Sequence, residues 1–192
     1  MRISHKAPGT PRTVGILAAA FNPPTLAHLA LAQSALTVVE EVVLALPSRL
    51  PHKDFSGATL EQRIEMLHCV VEARDRLSAG VAEGGLFAEI AREAREHYPN
   101  AAIYLICGRD AADRILGWDY GEPGFVEQML REFSLLVAPR DGSYTPPLQY
   151  RHAIRELPLP NFDECSSTRA RAGEWTLVPA EIVEQVQRIY LG

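Results

Sequence analysis

The fold of this 192-residue chain is decided by the stretch Val14-Gly15-Ile16-Leu17-Ala18-Ala19-Ala20-Phe21-Asn22-Pro23-Pro24-Thr25-Leu26-Ala27-His28. Residues 14–20 form a continuous apolar run, which is typical of a strand buried on both faces. The two prolines end this strand, and Thr25 then opens a helix that runs to about Leu36. A buried strand followed directly by a helix is the start of a βαβ unit.

The same alternation of elements continues along the chain. Further buried strands are predicted at 41–46, 102–107 and 133–138, and helices at 59–75, 87–98, 111–116, 125–131 and 179–190. This order predicts a Rossmann-like, doubly wound, mainly parallel α/β sheet flanked by helices. Because ligands bind outside the carboxyl ends of such strands, we expect the site to lie in segments 18–28, 47–55, 107–118 and 138–145.

Length and charge bound the class of protein. We expect one domain over residues 1–192, in which 1–12 form a flexible N-terminal extension and 163–192 carry a phosphate-binding motif and a final helix. The chain has 19 Lys+Arg and 24 Asp+Glu, which gives a net charge of −5. The absence of a global basic field argues against nucleic acid as a partner, but a few well-placed donors are enough to bind phosphate.

Cysteine usage and hydropathy indicate the compartment. The three cysteines lie far apart in the sequence, without a C-x-x-C pair, which argues against a disulfide framework or a structural zinc site. The apolar run 14–20 is too short to cross a membrane. We therefore expect a cytoplasmic protein without a membrane partner.

Two segments carry groups that suit phosphate chemistry. Thr25 and His28 share one face of a helix start, where free backbone N–H groups favour an anion and the imidazole adds a further donor. Residues 165–171, Cys-Ser-Ser-Thr-Arg-Ala-Arg, offer hydroxyls and guanidinium groups that can hold a triphosphate. Taken alone, each segment is also explained as an ordinary capped helix with polar surface residues. The chain contains neither G-x-x-x-x-G-K-[ST] nor G-x-G-x-x-G.

The two phosphate-suited segments, and two further ones, resemble motifs of a known enzyme superfamily. The first is similar to the G-x-F-x-P-x-[HT]-x-G-H signature of the Rossmann-like nucleotidyltransferase superfamily, and the second to its I-S-S-T-x-I-R motif. Residues 47–53, Pro-Ser-Arg-Leu-Pro-His-Lys, resemble the P-H-K loop of bacterial nicotinate mononucleotide adenylyltransferases. Gly108-Arg109-Asp110, with Trp118 beyond it, resembles their G-x-D…W segment. That family transfers AMP from ATP to nicotinic acid or nicotinamide mononucleotide and releases pyrophosphate, in NAD biosynthesis.

The resemblance implies a set of site residues. His28 would stabilise charge during attack on the α-phosphorus, Asp110 would contact a ribose and Trp118 the acceptor ring. The implied catalytic residues are His28, Thr25 and Arg171, and the implied nucleotide- or phosphate-binding residues are Ala19, Ala20, Phe21, Asn22, Lys53, Gly108, Asp110, Ser166, Ser167 and Thr168. No protein metal ligand is expected, since Mg²⁺ would arrive with ATP and be held by phosphate oxygens and water. The implied partners are ATP and a pyridine mononucleotide, with a homo-oligomer left open.

The sequence departs from that family at two places. Ala18 and Ala19 stand where the family has glycines that let backbone approach phosphate, and Ala27 replaces a third glycine. Relatives carry a strand and a Tyr-Thr-rich turn that reads the nicotinate carboxylate, whereas residues 77–86 are rich in Ala and Gly. We therefore expect this element to be shortened or absent. Two alternatives follow: a nucleotidyltransferase for another phosphorylated acceptor, and a nucleotide-binding protein with weakened activity.

Overall fold

The computed structural model describes residues 1–48, 57–139, 142–158 and 165–191. The strands are β1 Arg2–His5, β2 Thr13–Ala18, β3 Glu41–Pro47, β4 Leu77–Ala82, β5 Ala102–Gly108, β6 Ser134–Ala138 and β7 Ile154–Glu156. The helices are α1 Leu26–Ala35, α2 Leu60–Glu72, α3 Phe87–His97, α4 Arg109–Gly117, α5 Phe125–Glu132, α6 Ser167–Arg171 and α7 Val183–Leu191. Single turns of 3₁₀ helix lie at Leu148–Tyr150, Trp175–Leu177 and Ala180–Ile182.

The strands form one sheet in the order β1-β4-β3-β2-β5-β6-β7. All neighbours are parallel except β1 and β4, which are antiparallel. From β2 in the middle of the sheet the chain moves outward through β3 to β4, and it then returns to β5 on the other side of β2. The doubly wound fold is therefore confirmed. The strand order reverses between β2 and β5, so their carboxyl ends border the crevice in which such folds bind ligands.

Helices cover both faces of the sheet. Leu29 of α1, Met66 of α2 and Val186 of α7 pack with Leu44 of β3 in one buried layer. Helices α3 and α5 pack in the other layer, which contains residues from the opposite face of the same strands. Burial on both faces explains why β3 is apolar at nearly every position.

The N-terminal residues are part of the sheet. Our expectation of a flexible extension over 1–12 is wrong for residues 2–5, because β1 pairs with β4 and Ile3 lies opposite Gly80. A Cβ at Gly80 would lie 2.9 Å from the Arg2 carbonyl oxygen, so the glycine permits this close approach. The backbone N–H of Ala7 also donates to Ser78 Oγ over 2.8 Å. The four-residue strand was missed because an edge strand needs no buried run of its own.

Strand β4 corrects a second expectation. We expected the strand within 77–86 to be shortened or absent, but residues 77–82 form a strand in which every residue is buried. Ala, Ser and Gly have low strand propensity, and here burial between two neighbouring strands overrides that preference. Strand β7, only three residues long, was also not predicted. The Tyr-Thr-rich turn has no counterpart in the sequence after β4.

The helix boundaries mostly follow the sequence signals. At the start of α2, Gln62 N–H donates to Thr59 Oγ1 over 3.3 Å and Thr59 N–H donates to Gln62 Oε1 over 2.8 Å, as expected of a capping box. The last helix differs, since one 3₁₀ turn follows Pro179 before α7 starts at Val183. None of the helices in the described stretches combines the length and the apolar character needed to cross a bilayer.

Truncating a buried side chain of β5 should show how much the core of the sheet contributes to the free energy of unfolding. Leu105 is fully buried between the helical layers, with 0% of its surface exposed. Leu105→Ala should lower the free energy of unfolding by about 2–5 kcal/mol, because it removes buried methyl groups and leaves a cavity. Leu148→Ala is the matched control, since Leu148 is 76% exposed, and should change it by less than about 0.5 kcal/mol. Urea unfolding measures the free energy of unfolding of both variants. Equally small changes in the two would contradict the placement of Leu105 in the core.

Candidate active site

The turn between β2 and α1 lies at the switch point of the sheet. Its residue Phe21 is buried and has φ of 45°, in the left-handed region that residues other than glycine rarely adopt. The carbonyl groups on either side of Phe21 are both held. Arg63 Nη1 donates to the Ala20 carbonyl over 3.1 Å, and Arg171 Nη1 donates to the Asn22 carbonyl over 2.6 Å. Two guanidinium groups from different helices thus fix this turn.

Thr25 and His28 meet at the start of α1, as the sequence predicted. The backbone N–H of Thr25 donates to His28 Nδ1 over 3.0 Å, and Thr25 Oγ1 lies 2.8 Å from the same nitrogen. An N–H group can only donate, so Nδ1 must be the acceptor and the proton of the neutral ring lies on Nε2. Thr25 is only 1% exposed. Its observed role is to orient the imidazole so that Nε2–H is a donor.

His28 is neutral at physiological pH. Desolvation by burial lowers the pKa of the imidazole to about 4. The Phe21 ring, with its centroid 4.9 Å from that of His28, provides part of this apolar environment. His28 is therefore a hydrogen-bond donor without a permanent charge, and an approaching anion would raise its pKa.

Helix α6 docks directly on the β2–α1 turn. Ser167 Oγ donates to the Pro23 carbonyl over 2.9 Å, across 144 residues of sequence. Ser166 Oγ caps α6 by accepting the Arg169 N–H over 3.2 Å. Arg171 Nη2 donates to Thr168 Oγ1 over 3.2 Å. The structure thus brings the two predicted motifs together, with the Ser167 hydroxyl bonded across them and the Ser166 hydroxyl used as the cap of α6.

The two arginines of this motif have different partners. Arg169 forms an ion pair with Glu174, with Nε–Oε1 and Nη2–Oε2 distances of 2.7 and 2.5 Å. Among the described residues, Arg171 bonds a carbonyl and a hydroxyl, neither of which carries a charge. The charge of Arg171 thus stays available for an anion, whereas a carboxylate neutralises Arg169.

Asn22 joins the turn to two further parts of the chain. Its Oδ1 accepts the Ala58 N–H over 3.2 Å and also the hydroxyl of Tyr190, on α7. Gly57 has φ of +110°, and a Cβ there would lie 2.9 Å from the Tyr190 ring and 3.1 Å from Asn22 Oδ1. Glycine therefore serves both the backbone conformation and the close packing at this point.

The start of α4 forms the other side of the crevice. Gly108 caps this helix and is exposed, and a Cβ there would meet no described residue within 4 Å. Asp110 is exposed in its first turn, and Trp118, which follows the helix, is 60% exposed. Arg109 Nη2 donates to the Ser143 carbonyl over 2.6 Å, which links α4 to the segment after β6. Gly108, Asp110 and Trp118 are thus all exposed on this side of the crevice.

The turn after β4 is closed by carboxylates from α3. Glu93 accepts from Glu83 N–H over 2.9 Å and from Gly84 N–H over 2.7 Å. Glu89 accepts from Gly85 N–H and Leu86 N–H, each over 3.1 Å. Four consecutive backbone donors at this edge of the sheet are therefore already bonded within the chain.

Two site residues were missed from the sequence. Arg63 is 5% exposed and lies on the apolar face of α2, with Met66, Leu67 and Val70 at helical spacing. An arginine in a core position of an amphipathic helix is a signal that could have indicated it. Tyr190 gave no such signal.

Two further expectations concern Lys53 and metal ligands. Lys53 lies outside the described residues. Among those that are described, no three His, Cys, Asp or Glu side chains are grouped to hold a metal ion.

The fold and the site define a doubly wound α/β protein whose switch-point turn is held by two arginines and a serine. The chain belongs to the cytidylyltransferase-like family, whose profile matches residues 16–173. A Listeria innocua protein named "Probable nicotinate-nucleotide adenylyltransferase" is 36% identical over 113 residues, which is 55% of this chain and 60% of that protein. A Thermus thermophilus protein of the same name is 30% identical over 154 residues, covering 77% of this chain and 75% of the relative.

Solved structures agree on the fold. The Plasmodium falciparum nicotinic acid mononucleotide adenylyltransferase complexed with NaAD aligns with a TM-score of 0.58 and 18% identity, covering 91% of this chain and 89% of that one. At that identity the likeness shows the fold alone. The chain spans about 60% of the length of the first curated relatives it matches.

The low pKa of His28 should make stability depend on pH. In the unfolded chain the imidazole binds its proton near pH 6.5, whereas in the folded protein it does so only near pH 4. Between these values the unfolded state holds more protons, so stability falls as pH drops from 6.5 to 4, by at most about 3 kcal/mol. Urea unfolding of His28→Gln should lose this part of the acid dependence. An NMR titration that places the His28 pKa above 6 would contradict the assignment.

Proposed function

We propose that this protein transfers AMP from ATP to a pyridine mononucleotide, nicotinic acid or nicotinamide mononucleotide, in NAD biosynthesis. The observation that carries the proposal is the junction of the two motifs, in which Arg171 and Ser167 bond the Asn22 and Pro23 carbonyls beside His28. This geometry places a guanidinium and an imidazole donor next to one turn at the switch point. The names of the similar curated proteins point to the same reaction.

The chemistry needs no protein nucleophile. A phosphate oxygen of the mononucleotide attacks the α-phosphorus of ATP, the bond to the bridging oxygen of the β-phosphate breaks, and pyrophosphate leaves. Positioning and neutralisation of the growing charge supply most of the rate enhancement in such reactions. In our proposal His28 Nε2–H donates to this charge, Thr25 holds the ring, and Arg171 and Thr168 bind the triphosphate. Ser166 and Ser167 fix the loop, and their backbone N–H groups complete the phosphate contacts.

The remaining predicted residues keep their proposed roles. Ala19, Ala20, Phe21 and Asn22 would contact the nucleotide through backbone. Asp110 would bind a ribose beside Gly108, Lys53 a phosphate, and the exposed Trp118 ring would stack on the pyridine. Mg²⁺ would enter with ATP. Among the described site residues, Asp110 carries the carboxylate that could reach such a cation, and cationic guanidinium groups cannot ligate it, so the ion would keep mostly phosphate and water ligands. A cytoplasmic location, where both substrates occur, completes the proposal.

One observation favours an alternative acceptor. The four N–H groups of the turn after β4 are bonded to Glu89 and Glu93, so they cannot read a carboxylate on the acceptor without rearrangement. Another phosphorylated acceptor is therefore the second candidate. Both candidates share the attack on the α-phosphorus and differ only in the molecule that supplies the attacking phosphate.

Pyrophosphate release tests the proposal directly. Purified protein is mixed with ATP, Mg²⁺ and one acceptor at a time: nicotinic acid mononucleotide, nicotinamide mononucleotide, phosphopantetheine or a polyol phosphate. Release with a pyridine mononucleotide supports the first candidate and identifies the ring substituent. Release with only a non-pyridine acceptor supports the second. ATP binding in a calorimeter without any release would contradict both and indicate a nucleotide-binding protein.

Loss of the imidazole should affect the rate far more than ATP affinity. His28→Ala should lower kcat by about 100-fold or more, because it removes a donor aimed at charge that develops during the reaction. The Kd for ATP, measured by calorimetry, should change by less than about fivefold. His152→Ala is the matched control, since His152 is exposed in the turn just before β7, and should leave both values unchanged. Equal losses of rate and affinity would contradict the role given to His28.

A further inference from the structure

We infer that Tyr190, near the end of α7, is a positioning residue for the phosphate-binding turn, and that it acts through Asn22. The inference deepens the proposed function, on which its kinetic part rests. Within the described residues, the Tyr190 hydroxyl bonds Asn22 rather than the Thr25–His28 pair or the motif of α6. Its hydroxyl donates to the side chain of Asn22, 168 residues earlier in the sequence.

The geometry makes Asn22 the point where three segments meet. Its side-chain oxygen accepts from Tyr190 and from Ala58 N–H over 3.2 Å, and its backbone oxygen accepts from Arg171 over 2.6 Å. Asn22 is 8% exposed, so an oxygen left without donors there would be costly. The side-chain bonds therefore fix the same residue whose carbonyl orients Arg171.

The surroundings of Tyr190 keep its hydroxyl a donor. Burial is the largest effect on its pKa and raises it, although a hydrogen bond from the Ala58 backbone and the nearby Arg171 and Arg63 act in the opposite direction. A protonated phenol donates to the carboxamide oxygen over the whole physiological range. Tyr190 also packs against Gly57, where a Cβ would lie 2.9 Å from its ring. The ring is thus held from one side while the hydroxyl holds Asn22.

Hydrogen exchange tests this inference without requiring turnover. Tyr190→Phe removes only the hydroxyl and keeps the ring. The backbone amides of residues 19–28 should exchange about fivefold faster in this variant, the size expected for one lost hydrogen bond. Tyr150→Phe is the matched control: Tyr150 is buried and its hydroxyl donates to Glu127 over 3.0 Å, so exchange at 19–28 should be unchanged.

A double-mutant cycle tests the route through Asn22. In an Asn22→Ala background, Tyr190→Phe should add less than about a twofold change in exchange at 19–28. Unchanged exchange in the single Tyr190 variant, or full additivity in the cycle, would overturn the inference. If the wild-type protein is active, Tyr190→Phe should also raise the KM for ATP about fivefold with a smaller change in kcat. Tyr150→Phe should leave both KM and kcat unchanged. Faster exchange together with a wild-type protein that turns over no acceptor would overturn the proposed function and leave the positioning role supported.

Discussion

Two hydrogen bonds from guanidinium groups to backbone carbonyls hold the turn between β2 and α1, and the candidate site depends on that turn. Phe21 has a left-handed backbone conformation, which costs about 1–3 kcal/mol in a residue other than glycine. The bonds from Arg63 and Arg171 to the flanking carbonyls are charge-assisted and therefore stronger than ordinary ones. The turn is thus stabilised by helices α2 and α6, which follow it far along the chain.

This dependence explains which parts of the protein could be predicted from the sequence. The βαβ pattern is local, because a buried strand and an amphipathic helix each show their own periodicity, and so the doubly wound fold was predicted correctly. Strands β1 and β4 were not. Strand β1 is a short edge strand, and β4 is built from small residues whose burial comes from its neighbours. Their signal lies in the tertiary structure rather than in the segment itself.

The same distinction applies to the site. Thr25, His28 and the α6 motif were predicted because their residue types and spacing suit phosphate and, taken together, resemble the motifs of a known family. Their meeting, with Ser167 on Pro23 and Arg171 on Asn22, confirms that the motifs lie together, while the roles assigned to them stay predictions. Tyr190 could not be found in this way. A tyrosine near the end of a helix has many uses, and only the folded chain shows that its hydroxyl reaches Asn22.

The electrostatics of the site also follow from local geometry rather than from total charge. The chain carries a net charge of −5, but salt screens distant charges beyond about 8 Å, so groups within the crevice dominate. Arg171 is oriented by a carbonyl and a hydroxyl, and these neutral acceptors leave its charge for an anion, whereas Glu174 neutralises Arg169. His28, neutral because it is partly buried and desolvated, adds a donor without adding repulsion to Arg171. An acidic protein can therefore keep a positive charge available in a crevice, provided that the cation is held there by uncharged partners.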